Sequence, residues 1–312
     1  LLLEPDMHVF FKTAPFLLRK FLNIAAISFI IFMLVRAVPG DITDYYSARG
    51  DYDANALLAL RQQLGLDDSL PMQFMTWLKA ALHGDLGESM RFGTPVATML
   101  RDALPNSLLL SGAALLFGLV TGMSVAVLAL AFPAWRLGKL LESLNVWSIA
   151  VPTFCTGVIV ILVFSVWLRW LPIRGQLLLP VIILGIDIAG QVVKPLYEEL
   201  CATTRAPFIR TARAKGLSNW RIAWRHILPN SLSVVVAMSG VILGGLIGGT
   251  LTMEALFSLP GLGSLTLEAI HGRDYTVIQA AVMLLAAFVV LINIATAALQ
   301  ASIDPRLARH HE

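Results

Sequence analysis

Between Tyr197 and Asn230 the chain reads YEELCATTRAPFIRTARAKGLSNWRIAWRHILPN. Counted with Lys194 just before it, this stretch holds seven Lys and Arg (Lys194, Arg205, Arg210, Arg213, Lys215, Arg221, Arg225) in a protein that is only 14% charged. A segment with that charge cannot lie in hydrocarbon, and strongly apolar runs stand on both sides of it. It is predicted to be a loop held at a membrane surface, long enough for two short helices. The fold class follows: an all-α polytopic membrane protein.

Composition agrees. The 312 residues are 57% hydrophobic with a mean hydropathy of +0.76, against about 45–50% apolar content in soluble domains. Crossing the hydrocarbon takes about 20 apolar residues. Six runs are expected to do so: Phe16 to Val38, Leu104 to Ala131, Leu144 to Leu168, Leu177 to Val193, Ser231 to Leu256 and Val277 to Ala301. Six crossings put both termini on one side. If that side is inside, 14 of the 23 Lys and Arg fall there, while the short connections opposite hold only Arg169, Arg174 and Arg273. Basic residues in short loops mark the cytoplasmic face, so the termini and the basic loop are expected to be cytoplasmic.

The organisation expected is residues 1–38 as N-terminus and first span, 39–103 as an extracytoplasmic segment, 104–301 as a five-helix core including the loop 195–230, and 302–312 as a cytoplasmic tail. Lys12, Arg19 and Lys20 before the first apolar run resemble the front of a signal peptide. No small-residue cleavage site follows, so the run is read as an uncleaved span. Met7 is one candidate start. In the extracytoplasmic segment Leu57, Leu60 and Leu64, then Phe74, Trp77, Leu78 and Leu82, recur at three and four, which predicts short helices punctuated by Pro39-Gly40, Gly65 and Gly84.

Catalytic signatures are lacking. There is no phosphate-binding G-x-x-x-x-G-K-[ST], no H-E-x-x-H and no C-x-x-C. Cys155 and Cys201 suggest neither a disulfide framework nor a thiolate metal site. His310 and His311 form a terminal pair with weak metal-binding potential. The protein is not expected to be an enzyme, to bind a cofactor or to meet nucleic acid; chemical energy, if used, must come from a partner.

Within the basic loop, Pro207 suits a first helical turn. From it, Phe208, Thr211, Ala212 and Lys215 are predicted to share one face, with Arg210 and Arg213 on another. Gly216 fits a left-handed stop and Ser218 a cap for a second helix. On that helix Trp220, Ala223, Trp224 and Ile227 form an apolar stripe, Arg221 and Arg225 point away, and Pro229 ends the segment. Aromatic and arginine residues are enriched at protein interfaces, so the loop reads as a docking surface. Fixing topology or touching anionic lipid is the competing use of the same charges.

Ala212-Arg213-Ala214-Lys215-Gly216-Leu217, then Arg225-His226 and Leu228, resembles the cytoplasmic loop motif of binding-protein-dependent ABC importer permeases in their peptide/nickel form. The resemblance extends over Arg61 to Leu66, Leu70-Pro71, Gln73-Phe74, Trp77-Leu78, Gly84-Asp85-Leu86-Gly87 and Pro95-Val96. It resumes at Glu254, Phe257, Pro260-Gly261-Leu262-Gly263, Arg273-Asp274-Tyr275, Asn293 and Asp304-Pro305-Arg306. Arg210-Thr211-Ala212 stands where the general motif has Glu-Ala-Ala, and Ala297 and Gln300 stand where relatives often carry Asp and Tyr.

The resemblance implies a type I ABC importer permease with six transmembrane helices in the bacterial inner membrane. Implied partners are a homologous second permease, two cytoplasmic ATPases that bind ATP and Mg, an extracytoplasmic binding protein, and membrane lipid. Phe208, Arg210, Ala212, Arg213, Lys215, Gly216, Leu217, Trp220 and Trp224 are the candidate ATPase-coupling residues. Asp187, an acid inside a span and so a functional candidate, joins Glu254, Pro260, Gly261 and Gly263 as candidates for the translocation path or its gate. Gly240, Gly244, Gly245, Gly248 and Gly249 suggest close helix approach in the fifth span. The terminal histidines and Asp187 incline the substrate toward a transition metal such as nickel or a metal chelate, with di- or oligopeptides as the alternative and an ion-driven carrier as the alternative of another class.

Overall fold

The computed structural model describes residues 22–34, 36–37, 47, 50, 53–63, 66–172 and 175–303. The chain divides into two compact units: residues up to Asp102 with Thr266–Val290, and Ala103–Leu265 with the residues from Leu291 on. The flanks of the first expected span, Pro39-Gly40, Gly65, Arg174, Asp304-Pro305-Arg306 and the His310-His311 pair lie outside the described residues.

In the first unit, α1 (Leu22–Leu34), α2 (Ala54–Gln63) and α3 (Leu70–Leu82) realise the helical spacing of the sequence. Asp53 accepts a hydrogen bond from the Ala56 backbone N–H at 2.7 Å, which satisfies a donor at the start of α2. Phe29 and Phe32 of α1 meet Phe74 of α3 edge-on, with centroids 5.2 and 5.5 Å apart. The unit also contains a clamp between distant residues. Asp274 is buried and accepts from Ser89 Oγ at 2.5 Å and from the backbone N–H groups of Met90, Arg91 and Val277. A buried carboxyl group needs such partners. Arg91 adds an exposed ion pair with Glu268 at 3.3 Å.

The second unit holds most of the apolar helices: α4 (Val96–Ala131) from Ala103 on, α5 (Gly138–Ala150), α6 (Thr153–Val160), α7 (Leu178–Thr203), α8 (Pro207–Ala214), α9 (Asn219–Ile222) and α10 (Leu228–Phe257). The helices α11 (Leu262–His271) and α12 (Tyr275–Ile303) run through both units. Helices in lipid gain little from hydrophobicity against one another and depend on close packing, and glycine supplies it here. A Cβ on Gly118 of α4 would stand 2.6 Å from the Ile188 Cβ and 2.7 Å from the Gly185 carbonyl of α7. Asn145 of α5 donates to the Gly190 carbonyl of α7 at 3.1 Å, and a Cβ on Gly240 of α10 would meet Thr296 of α12 at 2.5 Å. Gly118→Leu is expected to push α4 off α7, costing about 3 kcal/mol or more. The check is the thermal unfolding midpoint in detergent; an unchanged midpoint refutes the close approach.

Among the described residues, four helices are long and apolar enough to span a membrane, and a fifth crossing is available if a bent pair counts as one. That pair corrects the third span: Leu144 to Leu168 is not one straight helix, since α5 and α6 meet at 101°. The residue before a proline is pushed to extended backbone, and Val151, before Pro152, has φ −109° and ψ 112°. Beyond α6 the helix widens into a π-helical stretch, Ile161–Trp167. The fourth span is also corrected. It does not stop at Val193 but continues through Lys194 and Pro195 to Thr203, because Val192, Val193, Leu196 and Leu200 form one fully buried stripe. The second span begins earlier than expected, at Val96, and carries Pro105 within the helix.

Candidate functional site

Since α7 reaches Thr203, the basic loop is shorter than the sequence suggested and starts as helix. A turn at Thr204–Ala206 leads into α8, which begins on Pro207 in the N1 position as expected. After α8, Gly216 adopts φ +74° and its N–H donates to the Arg213 carbonyl at 2.9 Å. Only glycine holds that conformation without steric cost. Ser218 caps α9 by accepting from the Arg221 N–H at 3.4 Å.

Burial rearranges the predicted faces. Ile209 and Ala212 are the buried side of α8, whereas Phe208 is 43% exposed and Arg210, Arg213 and Lys215 are exposed around it. Ala212 therefore packs on its own bundle, and half-buried Leu217 rests against the same core. On α9 and the π-helical turn Ala223–Ile227, the buried stripe is Ile222, Ala223 and Ile227. Trp220 and Trp224 lie outside it, 43% and 51% exposed. They stack on each other at 5.8 Å, Trp220 stacks on Phe132 at 6.2 Å, and Phe132 on Trp135 at 4.7 Å. Pro229 does not end this segment. It occupies the first turn of α10, where its missing N–H costs nothing, and the helix runs on through it.

Glu254, Pro260, Gly261 and Gly263 come together as one arrangement. Glu254, near the end of α10, is 1% exposed. Its Oε2 accepts from the Gly263 and Ser264 N–H groups at 2.7 and 3.1 Å, and its Oε1 from Ser107 Oγ at 2.6 Å. Ser107 accepts in turn from the Leu262 N–H at 2.7 Å, and Asn106 donates to the Pro260 carbonyl at 2.7 Å. The carboxyl group thus caps the first turn of α11, where free N–H groups collect. Glycine is required beside it because a Cβ on Gly261 or Gly263 would collide with the Glu254 side chain. Sequence reasoning passed over Asn106 and Ser107; the signal was a polar pair after Pro105 inside an apolar run. It also gave no role to Asp274.

Asp187 lies elsewhere, on α7, where Gln191 donates to its Oδ2 at 2.9 Å. Of the fifth-span glycines, Gly240 is packed on Thr296 and Gly249 approaches Leu184, while a Cβ on Gly244, Gly245 or Gly248 would meet open space. No cluster of three or more His, Cys, Asp or Glu suited to a metal ion occurs among the described residues.

Apolar helices of spanning length, a helix-glycine-helix loop and the capped Pro260–Gly263 turn make up a polytopic membrane protein. Comparison with known proteins places it more closely. Residues 114–309 match the profile of the binding-protein-dependent transport system inner membrane component, and residues 14–111 match the N-terminal profile of such membrane components. The chain belongs to that family and is an inner membrane ABC importer permease of the peptide/nickel branch. It is 34% identical over 303 residues to a protein of Brucella ovis named as a peptide permease, covering 90% of this chain and 94% of that one. It is 33% identical over 286 residues to the glutathione transport system permease protein GsiC of Escherichia coli strain K12, covering 90% and 93%. An inward-facing structure of the MetNI methionine ABC transporter shares the fold, with a TM-score of 0.57 at 20% identity, over 66% of this chain and 96% of that one. The subunit is non-catalytic, and ATP hydrolysis falls to partner ATPases.

Proposed function

We propose that the chain is the permease subunit of an importer for di- and oligopeptides, paired with a homologous permease, two ATPases and an extracytoplasmic binding protein. The observation that carries the substrate class is the 33–34% identity, over nine-tenths of the chain, to proteins named as peptide and glutathione permeases; glutathione is itself a tripeptide. The inclination toward nickel or a chelate rested on His310, His311 and Asp187. The two histidines are outside the described residues, and Asp187 is engaged by a neutral amide, so the metal reading has less support than the peptide one.

In the same proposal the exposed face of α8 docks on an ATPase, with Phe208 as its apolar anchor and Arg210, Arg213 and Lys215 as the surrounding charge. The loop and both termini are cytoplasmic, in keeping with the distribution of Lys and Arg. Closure of the ATPases around ATP moves the docked helices, and access to the path alternates as they move. The substrate test is uptake by the complete importer in proteoliposomes. ATP-dependent accumulation of labelled tri-alanine, with none of a nickel salt, is expected. Accumulation of nickel and none of any di- to pentapeptide overturns the proposal.

A further inference from the structure

The helix α7 is packed on three sides within the second unit. Gly118 of α4 lies against Ile188 and the Gly185 carbonyl, Asn145 of α5 bonds the Gly190 carbonyl, and Gly249 of α10 approaches Leu184. The side left open carries Asp187, Gln191, Lys194 and Glu198. Their spacing of four, three and four residues puts them in one narrow arc of the helix. Asp187 and Gln191 are half-buried and bonded to each other; Lys194 and Glu198 are exposed.

Hydrocarbon cannot lie against such a face. The 26 residues of α7 make a helix about 39 Å long, and Asp187 sits about 14 Å from its start, well inside a hydrocarbon core of about 30 Å. Ionisable residues at that depth face water-filled cavities or polar partners. Gln191 occupies one carboxyl oxygen of Asp187 and leaves the other to accept from a donor-rich cation. Lys194 stands two turns further on, about 10 Å along the axis, which matches the length of about three extended residues.

We infer that this face of α7 lines the translocation path and binds a short peptide by its two ends, Asp187 taking the α-ammonium group and Lys194 the terminal carboxylate. This rests on the peptide reading above. Gln191 acts as a positioning residue that holds the Asp187 carboxyl group toward the path.

The test uses the complete importer in proteoliposomes, with Cys155 and Cys201 replaced by serine and single cysteines placed at Asp187→Cys, Lys194→Cys and the buried control Ile188→Cys. Positions 187 and 194 are expected to react with a charged methanethiosulfonate, and both variants to take up tri-alanine about tenfold less than the cysteine-free parent, while position 188 stays unreactive. No reaction at 187 in any nucleotide state overturns the path assignment. Asp187→Asn is expected to lower tri-alanine uptake about tenfold, the effect of one charged hydrogen bond, and Asp187→Glu to restore part of it. Wild-type uptake by Asp187→Asn overturns the ammonium role. If both positions react but the cysteine-free parent transports no peptide, the peptide proposal falls and the water-lined face stands; if the parent transports peptide and the 187 and 194 variants do so equally well, the two-ended binding alone falls.

Discussion

Glu254→Ala is expected to lower the unfolding midpoint of the purified permease sharply and to abolish ATP-driven uptake. The substitution leaves the Gly263 and Ser264 N–H groups and the Ser107 hydroxyl without their buried acceptor. Each stranded group costs about 1–3 kcal/mol, so the loss of the acceptor for all three is about 3 kcal/mol or more. Glu254→Gln keeps the shape and one acceptor oxygen but turns an amide N–H₂ toward other donors. It is therefore expected to fall between the two. A melting curve and an uptake assay on the three proteins settle the matter: an alanine variant as stable as the parent means that the Pro260–Gly263 turn is held by something other than Glu254. Ser107→Ala supplies a milder version, since it removes a donor to Glu254 and an acceptor for the Leu262 N–H while leaving the α11 cap in place.

Phe208→Asp combined with Arg210→Glu is expected to separate hydrolysis from transport. Both side chains are on the exposed side of α8, away from Ile209 and Ala212, so the fold has no reason to suffer. An aromatic anchor at an interface centre contributes about 2–4 kcal/mol. Its loss together with a reversed charge is expected to reduce uptake at least tenfold and weaken retention of the ATPases on the tagged permease. Ala212→Asp is the contrasting variant: it buries a charge under α8, and its expected signature is lost stability before lost coupling. If the Phe208 and Arg210 double variant holds its ATPases and transports normally, the docking surface lies elsewhere in the loop.

The helices of this protein were legible because hydropathy and proline placement speak directly to the bilayer, and the α8 start at Pro207, the Gly216 stop and the Ser218 cap all follow from local backbone chemistry. Two boundaries were not. Lys194-Pro195 looks like the end of a span by charge, yet Leu196 and Leu200 bury their side chains completely and carry α7 onward. Val151-Pro152 looks harmless in an apolar run, yet the constraint on Val151 turns the chain by 101°. Faces were harder still. Trp220 and Trp224 share a stripe by spacing, but smaller Ile222 and Ile227 take the buried side and leave the indoles stacked at the surface. The Glu254 and Asp274 arrangements depend on Ser107 and Ser89, 147 and 185 residues away. No local pattern announces contacts at that separation.

The two ends of the basic loop are built differently, and with α8 docked as proposed this asymmetry governs how force passes through it. On one side, the turn at Thr204–Ala206 separates α8 from α7 and serves as a pivot. On the other, α9, the π-helical turn and α10 follow one another without a loop, a run of 28 residues from Asn219 to Leu246, about 42 Å long. A tilt of about 5° at its loop end displaces its far end by about 4 Å, by the length of the rod. On that proposal, motion delivered to the loop is absorbed at the turn on the α7 side and handed on at the α10 side, with α10 carrying the stroke past α7.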